Sequence, residues 1–160
     1  MPALNKKFLR YADYAKATIS DIVTKEQIER STKFFLYETR TCLFINNGGK
    51  FEAKVLPLES QFSMMSGILF RDYDGDKKED ILLTGNFIPF RVQQGPCDAN
   101  IGELLKGDGK GNFATASRAE TGLFVPGDVR DMLELKTASG SVIVISKNEA
   151  AIQVLKARYK

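Results

Sequence analysis

The sequence predicts a mainly β fold, in which an antiparallel four-stranded unit repeats in tandem behind an N-terminal helical segment. Three observations predict it. Apolar residues step by three and four only over residues 6–23, and beyond Lys33 short runs of β formers alternate with Gly, Asn and Asp turns. A glycine turn recurs: Asn46-Asn47-Gly48-Gly49-Lys50-Phe51 returns as Asp108-Gly109-Lys110-Gly111-Asn112-Phe113, with Phe51 and Phe113 separated by 62 positions. A strand also recurs: Asp80-Ile81-Leu82-Leu83-Thr84-Gly85-Asn86 returns as Val142-Ile143-Val144-Ile145-Ser146-Lys147-Asn148, and Asn86 and Asn148 are again 62 apart. Landmarks that share one offset define a repeat. Strands at 67–71, 80–84, 103–106 and 112–116 fill one complete unit. A four-stranded antiparallel meander in tandem is the blade of a β-propeller. At this offset the chain holds the end of one blade, one whole blade and most of a third, a partial β-propeller.

Composition sets the outer limits. The chain has 160 residues, 43% hydrophobic and 27% charged, enough for a domain with a real core. A net charge of +3 without a Lys/Arg block argues against nucleic acid as a partner. No apolar run approaches a membrane span, and MPALNKKFLRY is not a signal peptide, so no direct membrane insertion is expected. Histidine is absent, which removes Ser-His-Asp and Cys-His catalysis and His-ligated zinc. Cys42 and Cys97 are isolated, as one disulfide or as two thiols.

Residues 1–32 form the expected helical leader and residues 33–160 the repeats. Phe8, Ala12, Ala15, Ile19 and Ile22 mark a helix stripe over 6–23. Thr24-Lys25-Glu26-Gln27 reads as a capping box opening a second short helix through about Ser31. Phe34-Phe35-Leu36-Tyr37 and Cys42-Leu43-Phe44-Ile45 read as β runs, the latter turning at Asn46–Gly49 into Phe51–Val55.

The stretch between the first two strands of the complete unit carries the chemistry. Asp72, Asp74, Asp76 and Asp80 occupy positions 1, 3, 5 and 9 of a loop, and Gly75 permits a sharp turn. Carboxylates this close repel one another unless a cation sits among them. Hard oxygen ligands suit Ca²⁺, with the carbonyl of Lys78 at position 7 as the backbone ligand. An EF-hand is excluded, because Lys77 and Leu83 stand where it needs Gly and a bidentate Glu. The plainer alternative is a solvated acidic hairpin turn. On the opposite rim, the long segment 86–102 holds Phe87, Phe90, Arg91, Gln94, Asp98 and Asn100, either as a recognition loop or as an insertion that packs its own aromatics.

Asp-x-Asp-Gly-Asp-x-x-x-Asp followed by Ile-Leu-Leu-Thr-Gly-Asn and Gly-Asp-Gly-Lys-Gly-Asn-Phe resembles the FG-GAP or VCBS repeat of integrin-α-like propellers. Leu58–Phe62, Asp98-Ala99 and Gly127–Asp131 further resemble bacterial FG-GAP proteins that often carry an ASPIC/UnbV module. The resemblance runs from about Thr41 to Lys156. It implies a calcium-binding β-propeller of about seven blades, a larger parent chain, and an adhesive role at the cell surface, outside the cell or in the periplasm. It also implies a metal role for Asp72, Asp74, Asp76, Asp80 and the Lys78 carbonyl. In the second repeat the offset of 62 aligns Glu134, Lys136, Ala138 and Val142 with those aspartates, so that loop is expected to hold no metal. The expected function is a module with structural Ca²⁺ that recognises a protein or glycan ligand and is not an enzyme. The alternative is part of a propeller enzyme acting on polysaccharide, with Asp128 and Asp131 as the acid–base pair. Against it, Asp128 is read as a turn cap.

Overall fold

The computed structural model describes residues 2–90, 92–138 and 140–156. The chain divides into two compact units, 1–39 and 40–160. The first holds four short helices: α1 (Pro2–Lys7), α2 (Tyr11–Lys16), α3 (Ile19–Ile22) and α4 (Lys25–Arg30). The continuous helix expected over 6–23 is therefore broken. One break has a local cause: Thr18 is extended (φ −87°, ψ 170°), and Asp21 accepts hydrogen bonds from its N–H and Oγ1. That arrangement starts a new helix instead of continuing the old one. Nothing in the sequence explains the break at Phe8–Arg10. The expected capping box is present, with Thr24 Oγ1 accepting from the Gln27 N–H at 3.2 Å and Gln27 Oε1 from the Thr24 N–H at 2.9 Å. Phe34–Tyr37, expected as a β run, forms no strand, and its four side chains are exposed. β propensity reports a side chain's fit to a sheet surface, and these residues have no ladder partner. Among the described residues, no helix is long and apolar enough to cross a membrane.

The second unit is mainly β: β1 (Cys42–Asn47), β2 (Lys50–Val55), β3 (Met65–Arg71), β4 (Asp80–Gly85), β5 (Glu103–Gly107), β6 (Phe113–Thr115), β7 (Val129–Thr137), β8 (Gly140–Lys147) and β9 (Gln153–Leu155), with a 3₁₀ turn at Leu58–Gln61 and a short helix α5 (Arg118–Thr121). All pairs are antiparallel. They form sheets of two (β1-β2), four (β3-β4-β5-β6) and three strands (β7-β8-β9), and none closes into a barrel. The four strands expected for the complete unit are the four strands of the central sheet.

Register shows how the repeats correspond. Both β3–β4 and β7–β8 carry a one-residue bulge, between Met65 and Gly67 and between Val129 and Asp131. The bulge places Met65 opposite Gly85 and Val129 opposite Lys147, so β4 maps onto β8 at 62 residues but β3 onto β7 at 64. The second hairpin is thus two residues shorter and zips up to Thr137 opposite Gly140. This corrects the alignment of the acidic loop: Asp72 and Asp74 correspond to Lys136 and Ala138, and Glu134 instead pairs with Arg71.

The central sheet packs on both faces. Ile81, Leu83 and Leu105 join Leu56, Leu43 and Phe113 in one cluster on the β1-β2 side. Leu82, on the other side of β4, joins Val129, Met132, Ile143 and Ile145 in a second cluster. All six residues of β4 are buried, as a strand covered on both faces requires. At Gly67 a Cβ would meet Thr84 Oγ1 at 2.6 Å and Met132 Cγ at 2.8 Å.

Candidate metal centre

The acidic loop joins β3 to β4 and turns through two left-handed residues, Gly75 (φ 85°) and Lys77 (φ 67°). Backbone donors fix its carboxylates. Asp72 accepts from the N–H of Gly75 (2.6 Å) and of Lys77 (2.9 Å), and Asp74 from that of Asp76 (3.2 Å). Asp80, only 1% exposed, accepts from the N–H of Tyr73 (2.9 Å) and of Gly107 (3.0 Å), tying the loop to the end of β5. Carboxylate oxygens of Asp72, Asp74 and Asp80 lie within 4.8 Å of one another, so the three could hold a metal ion.

The fourth expected carboxylate, Asp76, lies outside that cluster. Asp76 accepts from the Lys78 N–H (2.8 Å) and from Lys78 Nζ (2.9 Å), and that ammonium holds its carboxyl below the usual carboxylate range. The Lys78 side chain is therefore the partner of Asp76. Sequence reasoning missed Lys106, whose Nζ lies 3.5 Å from Asp74 Oδ2 and offsets part of the negative charge. The 108–112 turn lies beside the acidic loop, since Gly109 approaches the Lys78 side chain. Its Asp108 accepts from Asn112 Nδ2 and from the N–H groups of Lys110 and Asn112, which lowers its pKa to about 2.

The opposite rim is stitched by Asn86, buried at φ 91°. Its Nδ2 donates to the carbonyls of Asn100 (2.7 Å) and Gly127 (2.9 Å), and its Oδ1 accepts from Ser63 Oγ (2.7 Å) and the Asn100 N–H (2.9 Å). Asn100 is thus committed to holding the segment 86–102 in place. Phe87 packs edge-on against Phe90 at 6.2 Å, beneath the Arg130 guanidinium, and exchanges two backbone hydrogen bonds with Cys97. Gln94 and Asp98 are exposed, and Arg91 lies outside the described residues. Cys42 and Cys97 are both free thiols.

Asp128 and Asp131, the residues of the enzymatic alternative, are held by separate partners. Asp128 is buried, and its Oδ2 accepts from Arg130 (2.6 Å) and Asn148 (3.2 Å) side chains rather than from a turn N–H. Asp131 accepts from the N–H of Met132. A cleft of about 280 Å³, unmarked by any sequence motif, is lined by Glu59, Phe62, Asn100, Glu103, Thr115 and Arg118 among others. Thr115 Oγ1 lies 3.2 Å from Glu59 and 3.0 Å from Glu103, and Ser60 Oγ also donates to Glu103. Burial raises the Glu103 pKa, against the lowering effect of these hydroxyls.

Comparison with protein-family models, curated proteins and solved structures yields no match.

Proposed function

We propose that the chain is a Ca²⁺-stabilised β-propeller repeat module of the FG-GAP/VCBS kind, serving recognition of a protein or glycan at the cell surface or outside the cytoplasm. The convergence of Asp72, Asp74 and Asp80 within 4.8 Å carries this reading. Three oxygen-donor carboxylates, two of them held by two backbone N–H groups each, suit a hard cation. The ion would be structural, relieving repulsion in a loop that joins two core strands. The repeated bulged hairpins and the meander order of the central sheet support the propeller reading. A rim segment on a rigid sheet and the Glu59–Arg118 cleft support recognition.

Calorimetry tests the metal. Wild type should bind one Ca²⁺ with Kd on the order of 10⁻⁴–10⁻³ M, as extracellular modules do. Asp74→Ala should lose the heat. Equal heats from both proteins, or none from either, would overturn the proposal. A glycan array run beside a polysaccharide-hydrolase screen separates recognition from the enzymatic alternative.

A further inference from the structure

The cleft beside the 3₁₀ turn, β5, β6 and α5 brings two carboxylates together without a cation. Glu103 is buried, only 6% exposed, whereas Glu59 is exposed. Both lie within 3.2 Å of the Thr115 hydroxyl, which has one hydrogen to donate. The Ser60 hydroxyl is already committed to Glu103. One oxygen–oxygen contact in this chain therefore lacks a hydrogen. Among the described residues no Lys or Arg forms an ion pair with either glutamate. A buried carboxylate without a cation is unfavourable, and burial chiefly, with the nearby Glu59 charge, raises the Glu103 pKa.

The cleft itself, about 280 Å³, also has Phe62 and Leu123 in its lining. A hard divalent cation asks for about six to eight oxygen ligands, which apolar walls do not supply. An ammonium has only three hydrogens to place, and its methylene stem suits an apolar wall. Arg118 lines the cleft too, but its guanidinium lies over the Phe124 ring, 4.4 Å from the centroid. We infer that the cleft receives a lysine side chain of a partner protein, its ammonium between Glu59 and Glu103 and its stem against Phe62 and Leu123. The ammonium supplies the hydrogen that Thr115 and the two carboxylates lack among them. This rests on the recognition role proposed above and gives its partner a chemistry, and it does not depend on the metal.

Titrating Nα-acetyl-lysine methylamide into the isotope-labelled full chain, in saturating calcium, tests the inference by amide NMR shifts. The amides of Glu103, Leu104, Thr115 and Ala116 should shift saturably. Acetylating the probe's Nε removes the charge and keeps the stem, and should weaken binding at least about tenfold. Glu59→Gln and Glu103→Gln should each do the same. Glu59 is exposed, so its variant keeps the test open should Glu103→Gln fail to fold. Asp74→Ala should leave the probe's affinity unchanged, so that failure here and failure of the calcium proposal are read apart. Four results would overturn the inference: no saturable shift, equal binding of the neutral probe, shifts centred on the acidic loop, or tighter binding of methyl glucosaminide, an ammonium on a polar ring.

Discussion

Replacing Asp80 by alanine separates the structural work of the acidic loop from its metal binding. The buried Asp80 carboxylate accepts from the N–H groups of Tyr73 and Gly107. Removing it leaves both donors unpaired, at about 2 kcal/mol each. The change also removes a negative charge within 4.8 Å of Asp72 and Asp74 oxygens. That relief is worth roughly 1 kcal/mol per neighbour at a water-like dielectric, less in salt. Lost hydrogen bonds outweigh relieved repulsion, leaving a net destabilisation of about 2–3 kcal/mol. For a chain of this size the melting temperature should fall by about 5–10 °C. Asp74→Ala is the contrast: its carboxylate is exposed, with one backbone donor and a lysine at 3.5 Å. In chelator it should melt within about 1–2 °C of wild type. Thermal melts of wild type and both variants, in chelator and in excess calcium, give six numbers. Asp80→Ala should lose stability in both conditions, Asp74→Ala only the calcium increment. Should Asp80→Ala melt at or above the wild-type temperature in chelator, repulsion outweighs the clamp and the reasoning fails.

Three further perturbations probe the sheets and the cleft. Gly67→Ala places a Cβ against Thr84 and Met132 and should cost about 1–3 kcal/mol in urea unfolding. Leu105→Ala empties a fully buried position beside Ile81 and Leu83 and should cost about 2–5 kcal/mol in the same assay. Glu103 has a folded pKa raised by burial above its ordinary value of 4.5, so its contribution to stability is complete below that pH and is lost as pH rises through the folded value. Wild-type stability should therefore fall relative to Glu103→Gln as pH increases above 4.5, and parallel pH profiles would refute the buried-carboxylate account.

The sequence by itself determined the elements whose signal is local. The alternation and turn chemistry of 42–55, 67–84 and 103–116 located β1 to β6, because turn glycines and short apolar runs act within a few residues. The Thr24 capping box and the spacing that brings Asp72, Asp74 and Asp80 together were legible for the same reason. Tertiary structure decided the rest. Asp76 left the cluster for Lys78, and Lys106 entered from β5, since ligand choice depends on which side chains a neighbouring strand delivers. The two-residue difference between hairpins was hidden behind a shared 62-residue offset on β4 and β8, and only the bulged register exposed it. Phe34–Tyr37 had the composition of a strand but no partner, and a strand exists only through the ladder that a distant segment supplies. The Glu59–Glu103 cleft left no sequence signature, because Thr115 joins residues from separate elements whose proximity arises only when the 3₁₀ turn packs beside β5 and β6.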